Sequence, residues 1–163
     1  MGAEALAGTA VIVTGASAGI GRETARVLTA DGANGTLVAH RGECLRELAD
    51  EIESETDATA LVCPADVSDE ETWRLRVEKT VSTFGKLDGL VNNVGIATTS
   101  ETTVEECPIE WYRTVMGVNV DGMFYAARTA IPHLREINGT LLFVARAAGK
   151  NPCSKSPMYA ATE

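Results

Sequence analysis

The 163-residue chain is short of positive charge, of histidine and of aromatic side chains, and each shortage excludes something. Lys and Arg number 14 against 23 Asp and Glu, a net charge of -9 at pH 7. The basic surface that displaces counterions from nucleic-acid phosphates is therefore missing, and nonspecific nucleic-acid binding is excluded. The acidic residues are spread along the chain and read as a solvated surface kept soluble by repulsion. Two histidines, His40 and His133, and four scattered cysteines, Cys44, Cys63, Cys107 and Cys153, form no CxxC pair and no spacing suited to zinc or iron. No metal is expected, and the thiols are expected to be reduced. No apolar run approaches the roughly 18 residues of a membrane span, and Met1 to Gly8 lacks the basic and apolar regions of a signal peptide. A cytoplasmic location is expected. Aromatic residues make up only 5%, yet 45% of the chain is apolar, enough for one domain over residues 1–163 with a real core.

Apolar runs at Ala10 to Val13, Thr36 to Ala39, Ala58 to Cys63, Leu87 to Val91 and Thr140 to Val144 alternate with segments of helical spacing. Those segments are Thr24 to Ala30, Glu43 to Ser54, Asp69 to Phe84 and Ile109 to Leu134. Alternation of this kind predicts an α/β fold, a doubly wound parallel sheet with helices on both faces. Right-handed crossovers predict the strand order 3-2-1-4-5, with the ligand crevice at the carboxyl ends of strands 1 and 4, where the winding reverses. Ser68 with Glu71 reads as a capping box, and Pro132 with Asn138-Gly139 is expected to help end the last helix. Trp111, Tyr112, Met116, Phe124 and Tyr125 recur at helical spacing and are expected in the core or an interface.

The first run feeds directly into Gly15-Ala16-Ser17-Ala18-Gly19-Ile20-Gly21, and a helical pattern opens at Arg22. A strand, a glycine-spaced turn and a helix start make a pyrophosphate cradle. Gly15 can turn the chain without a Cβ clash, Gly19 lets the backbone approach the phosphates, and Gly21 lets the helix pack closely on its strand.

This spelling, Thr-Gly-x-x-x-Gly-Ile-Gly, has three residues between its first two glycines. It is joined by Asp66-Val67 after the third strand, Asn92-Asn93-Val94-Gly95 after the fourth, and Asn119 inside the segment from Trp111 to Arg128. Together these landmarks resemble the short-chain dehydrogenase/reductase family, over essentially the whole chain from Thr9 to Glu163. Val94 stands where the family usually has alanine. The resemblance implies a Rossmann-like NAD(P)-binding fold and hydride transfer between nicotinamide and a small carbonyl or alcohol. It implies that Asp66 and Val67 line the adenine pocket, and that Asn92 and Gly95 bend the chain beside the cofactor ribose. A helix start and a simple turn are the plain alternatives at these two places.

Phosphate choice is read at the end of the second strand, where an acidic residue would bind the ribose hydroxyls and repel an extra phosphate. Ala39 stands there, followed by His40 and Arg41, and arginine can grip a phosphate with two parallel hydrogen bonds. NADP(H) is therefore favoured over NAD(H), with a solvated surface arginine as the alternative.

Relatives use Asn, Ser, Tyr and Lys for the chemistry. Asn119 and Tyr159 match, but the lysine position, four residues after the tyrosine, holds Glu163, and the serine position falls on Arg146. A phenol with an ordinary pKa near 10 is about 4 kcal/mol from ionising at pH 7. One cation at about 4 Å and an effective dielectric near 20 is worth about as much, so Glu for Lys reverses a decisive contribution. Against the family, the sequence ends at Glu163, just as a helix is expected to begin after Pro157. The remaining helices, the last two strands and the substrate-covering loop are expected to be absent, leaving Thr140 to Val144 as an open apolar edge. Two readings stand: an NADP(H)-dependent oxidoreductase of altered form, or a truncated, catalytically silent dinucleotide-binding module, a pseudoenzyme. Homo-oligomers are implied for full-length relatives.

Overall fold

In the computed structural model, which describes residues 5–97, 102–150 and 157–162, strands and helices alternate from the start. The elements are β1 (Ala10–Thr14), α1 (Gly19–Ala30), β2 (Asn34–Ala39), α2 (Gly42–Glu55), β3 (Ala60–Pro64), α3 (Glu70–Phe84) and β4 (Gly89–Asn92). After them come α4 (Ile109–Met116), α5 (Gly122–Glu136), β5 (Thr140–Phe143) and a short α6 (Pro157–Ala161). All strand pairings are parallel, and the sheet runs β3-β2-β1-β4-β5, the order expected from the crossovers.

The central strand is buried on both sides, and its alternating side chains feed two cores. Val11 and Val13 join Ala25, Leu37, Leu45, Leu48 and Ile52 beneath α1 and α2. Ile12 joins Val38, Trp73, Val77, Leu90, Ala126 and Leu134 beneath α3 and α5. Trp73 is buried, and its indole N–H donates to the carbonyl of Val67 at 2.9 Å, so the largest side chain of the core carries no orphan donor. Gly122 fits here because a Cβ would come within 2.8 Å of the same carbonyl.

Three local expectations need correction. The cap of α3 is Asp69, whose carboxylate accepts from the Thr72 N–H at 3.0 Å, while Ser68 donates backward to Asp66. An acid one residue nearer the helix outcompetes the serine, which is engaged in an Asx turn. Pro132 sits inside α5, which continues to Glu136; burial of Ala130 and Leu134 on either side holds the helix despite the missing N–H. The single helix expected from Ile109 to Leu134 is divided by a π turn at Gly117–Asp121. Of the aromatic residues expected in the core or an interface, Tyr125 packs against the core, while Trp111, Tyr112 and Phe124 are exposed, as an interface position allows; the buried face of this segment is carried by Val115, Ala126, Ala127, Ala130 and Leu134.

Among the described residues β5 pairs only with β4, and Leu142 and Phe143 are each half exposed at this edge. Beside it a groove of about 370 Å³, lined by Leu6, Val11, Leu28 and Leu142 among others, lies open on the α1 side of the sheet. No helix among the described residues is long and apolar enough to cross a membrane. Cys44, Cys63 and Cys107 are free thiols. Cys153, Lys155 and Glu163 lie outside the described residues.

Candidate functional site

The winding reverses between β1 and β4, and both glycine-bearing loops leave the sheet there, at the carboxyl edge. Gly15 has φ +69°, and a Cβ on it would come within 2.8 Å of the Asn93 amide nitrogen. Gly21 is tighter still: its Cβ would meet the Gly15 carbonyl oxygen at 2.4 Å. Gly19, at φ +57°, faces open space. The first and third glycines are thus fixed by packing and the middle one by conformation.

α1 begins at Gly19 rather than in the Thr24 turn, because glycines hide a helix start from propensity. Its cap residue, Ala18, offers no side-chain acceptor, and no acidic residue stands in the first turn. The N-terminal N–H groups and the positive end of the helix dipole therefore face the crevice without an internal counter-charge. Ala16 is buried, with its N–H donating to the Val38 carbonyl at 3.3 Å, and Ile20 is 65% exposed.

The two loops are stitched together by a residue that sequence reasoning passed over. Thr14 is fully buried, and its hydroxyl oxygen accepts from the N–H of Asn93 at 2.8 Å and of Val94 at 2.9 Å. Its carbonyl accepts from the Asn93 side-chain amide at 3.0 Å. The available signal was its place: a hydroxyl directly before the turn glycine. Asn92, by contrast, is buried toward α5, where its amide donates to the Met123 carbonyl at 3.0 Å. Gly95 is exposed beside the Asn119 side chain.

At the far end of the crevice Ala39 closes β2, His40 and Arg41 are exposed, and the Arg41 guanidinium donates to the Ser17 hydroxyl at 3.1 Å. This bond joins the end of the second strand to the glycine loop. Asp66 is exposed next to them and accepts from both the hydroxyl and the N–H of Ser68, at 2.7 and 3.0 Å. These bonds hold its carboxyl below the ordinary range, with a smaller contribution from His40. Val67 buries its side chain in the core, leaving only backbone to face a ligand.

Asn119 lies in the π turn, a feature common at functional sites. Its buried amide is used in full view of the loop after β4: Oδ1 accepts from the Ile96 N–H at 2.8 Å, while Nδ2 donates to the Ile96 carbonyl and the Thr162 hydroxyl, both at 2.9 Å. Thr162 in turn donates through its hydroxyl to the Tyr159 carbonyl at 2.8 Å. Thr162 was not among the expected residues, yet it ties α6 to the crevice. The guanidinium carbon of Arg146 lies 5.8 Å from the centre of the Tyr159 ring. Asn119, Tyr159 and Arg146 are therefore brought together at the end of β5, and the residues expected to meet a cofactor lie along the carboxyl edge from β1 to β3.

Residues 9–163 match the family model for short chain dehydrogenase. The chain is 36% identical over 160 residues to 11-beta-hydroxysteroid dehydrogenase A of Sesamum indicum, covering 98% of this chain and 46% of that protein. A putative short chain dehydrogenase from Pseudomonas syringae superposes with a TM-score of 0.92 at 29% identity, over 99% of this chain and 67% of its own. A short chain dehydrogenase from Burkholderia cenocepacia, solved in complex with NADP, superposes with a TM-score of 0.89 at 28% identity, over 96% and 63%. The chain spans about half the length of most of the curated relatives it matches. Fold, glycine loop and family match agree: the chain belongs to the short-chain dehydrogenase/reductase family, with its nicotinamide-cofactor-binding Rossmann-like fold.

Proposed function

We propose that this chain binds NADP(H) in preference to NAD(H) and does so without catalysing the hydride transfer between nicotinamide and small carbonyls or alcohols that its lineage performs. The observation that carries the cofactor choice is the Arg41–Ser17 bond beside Ala39. A guanidinium already stands across the glycine loop where an acid would repel the 2′-phosphate. Gly15 to Gly21 would hold the pyrophosphate, Asp66 and the Val67 backbone the adenine, and the segment Asn92 to Gly95 the ribose. Bound there, the cofactor would supply the hydride chemistry.

The silent reading rests on Arg146 and Glu163, which occupy the positions of the family's serine and lysine. Arginine has only donors on a large planar group, and it stands against the Tyr159 ring where a small hydroxyl would orient a substrate carbonyl. Calorimetric titration of NADPH and NADH against wild type and Arg41→Ala tests the first part. Charge-assisted hydrogen bonds of about 1.5–3 kcal/mol predict a preference of about tenfold or more, lost in the variant. Equal affinities unaffected by Arg41→Ala would remove the NADP(H) assignment. NADPH oxidation with small ketones and aldehydes tests the second part, and turnover that disappears in Tyr159→Phe would overturn it.

A further inference from the structure

We propose that the open edge of β5 is a pairing surface for a second copy of this chain, which adds its own β5 antiparallel and joins the two sheets across a two-fold axis at Leu142. Strand register shows which groups are on offer. The Thr140 N–H donates to the Asp88 carbonyl at 2.8 Å and the Val144 N–H to the Asn92 carbonyl at 2.9 Å, so residues 140, 142 and 144 direct their backbone at β4. Leu141 and Phe143 therefore turn their N–H and C=O groups outward. No described strand or side chain takes them up there.

The opposite edge of the sheet is guarded against such pairing. On β3 the Gly35 N–H reaches the Thr59 carbonyl and the Ala65 N–H the Ala39 carbonyl, both at 3.0 Å, which leaves Ala60, Val62 and Pro64 facing out. The Ala60 N–H is engaged by the Glu53 carboxylate at 3.3 Å, Pro64 has no N–H, and its carbonyl accepts from the Arg76 guanidinium at 2.7 Å. β5 carries none of these guards, since residues 137–145 include no charge and no proline.

That contrast selects the occupant. Copies with a net charge of -9 repel one another at long range, and a locally neutral strand is where they can approach. A head-to-tail contact of β5 with β3 meets the guarded edge, so assembly is isologous and stops at two. The Gly139 N–H is already engaged by the Leu134 carbonyl at 2.7 Å. The register that uses unengaged groups therefore pairs Leu141 of each copy with Phe143 of the other and sets Leu142 against its own counterpart. Because the copies run antiparallel, their crevices open at opposite ends of the joined sheet and neither is obstructed.

Sedimentation of the full chain from micromolar to near-millimolar concentration should show a species of twice the monomer mass and nothing larger, strengthened as salt is raised to about 0.5 M. Phe143→Pro removes an outward N–H and spares the ladder to β4, so it should abolish the dimer. Phe143→Ala keeps that N–H and should retain the dimer; thermal melting shows whether each variant keeps the fold. Leu142→Cys gives a second test that needs no proline. Opposed residues of a non-hydrogen-bonded antiparallel pair lie about 4.5 Å apart at Cα, within disulfide range. Oxidation should therefore cross-link two chains through position 142, as read by mass spectrometry, while Thr140→Cys should give no cross-link through position 140. A monomer at every concentration would assign the edge to another segment or protein and overturn the proposal. So would a ladder of larger species, a dimer left intact by a folded Phe143→Pro, equal loss in Phe143→Ala, or no cross-link at position 142.

Discussion

Replacing Thr14 by valine keeps shape and volume and removes one oxygen. That oxygen accepts two backbone N–H groups, from Asn93 and Val94, at 2.8 and 2.9 Å, and is itself fully buried. Valine cannot accept them, and each buried donor left without a partner costs about 1–3 kcal/mol. Asn93 and Val94 are only half-buried, so water reaches part of the gap and the lower half of the range applies to each, about 2–4 kcal/mol in all. Against a total stability of about 5–15 kcal/mol that is a large loss. The measurement is urea unfolding followed by circular dichroism on wild type, Thr14→Val and Thr14→Ser, since serine restores the acceptor. Thr14→Ser should recover most of the difference apart from a buried methyl of roughly 1 kcal/mol. A double variant with Asn93→Ala should be less destabilised than the sum, because both changes cut the same stitch. If Thr14→Val unfolds within about 1 kcal/mol of wild type, the two loops are held by something else, and the hydroxyl is not the stitch.

Gly21→Ala should prevent cofactor binding and destabilise the fold by several kcal/mol, because its Cβ lands 2.4 Å from the rigid Gly15 carbonyl; calorimetry and melting check it. Gly19→Ala should be milder, a strain of about 1 kcal/mol at positive φ with no steric contact within 4 Å. Cys63 is buried and its thiol is pushed up, so iodoacetamide should label Cys63 only under unfolding conditions, as read by mass spectrometry. Asp66 has a depressed carboxyl, so its contribution is present above the ordinary value near 3.9 and is lost as pH falls through its lower folded value; acid titration of Asp66→Asn should lack that component. Leu142→Lys should raise the concentration at which the chain self-associates in sedimentation, since the β5 edge is half exposed and apolar.

The alternation of apolar runs was enough to place every strand of the described sheet and its order, because a doubly wound topology leaves few choices once crossover handedness is fixed. The glycine loop was legible for a similar reason: backbone constraints at Gly15 and Gly21 permit only one residue type. Side-chain partnerships were not legible. Thr14, Asn93 and Thr162 act through contacts between residues 43 to 80 positions apart, and a threonine before a glycine is too common to announce one. The π turn escaped because one inserted residue leaves the apolar spacing of Ile109 to Leu134 almost unchanged. The Ser68 cap failed where two adjacent acceptors competed, a choice that depends on the loop from Asp66 and not on the local word.

The two ends of the crevice are encoded differently, and that difference explains how one can persist while the other changes. The β1 end is built of backbone N–H groups, a helix dipole and positions where a Cβ does not fit. Most substitutions elsewhere leave them untouched. Chemistry at the β5 end rests on side-chain identity within a few residues: a small hydroxyl, a phenol and a cation in register. On the proposed reading Arg146 would stand in for the first, and it leaves β5 undisturbed because the strand's pairing with Asn92 is made by backbone. A single change there removes a donor that is worth about 100- to 1000-fold in rate at comparable sites, yet costs the fold almost nothing. Binding and turnover are therefore separable in such a scaffold: a change of side chain at the β5 end can remove chemistry while the backbone-built nucleotide site at the β1 end is kept.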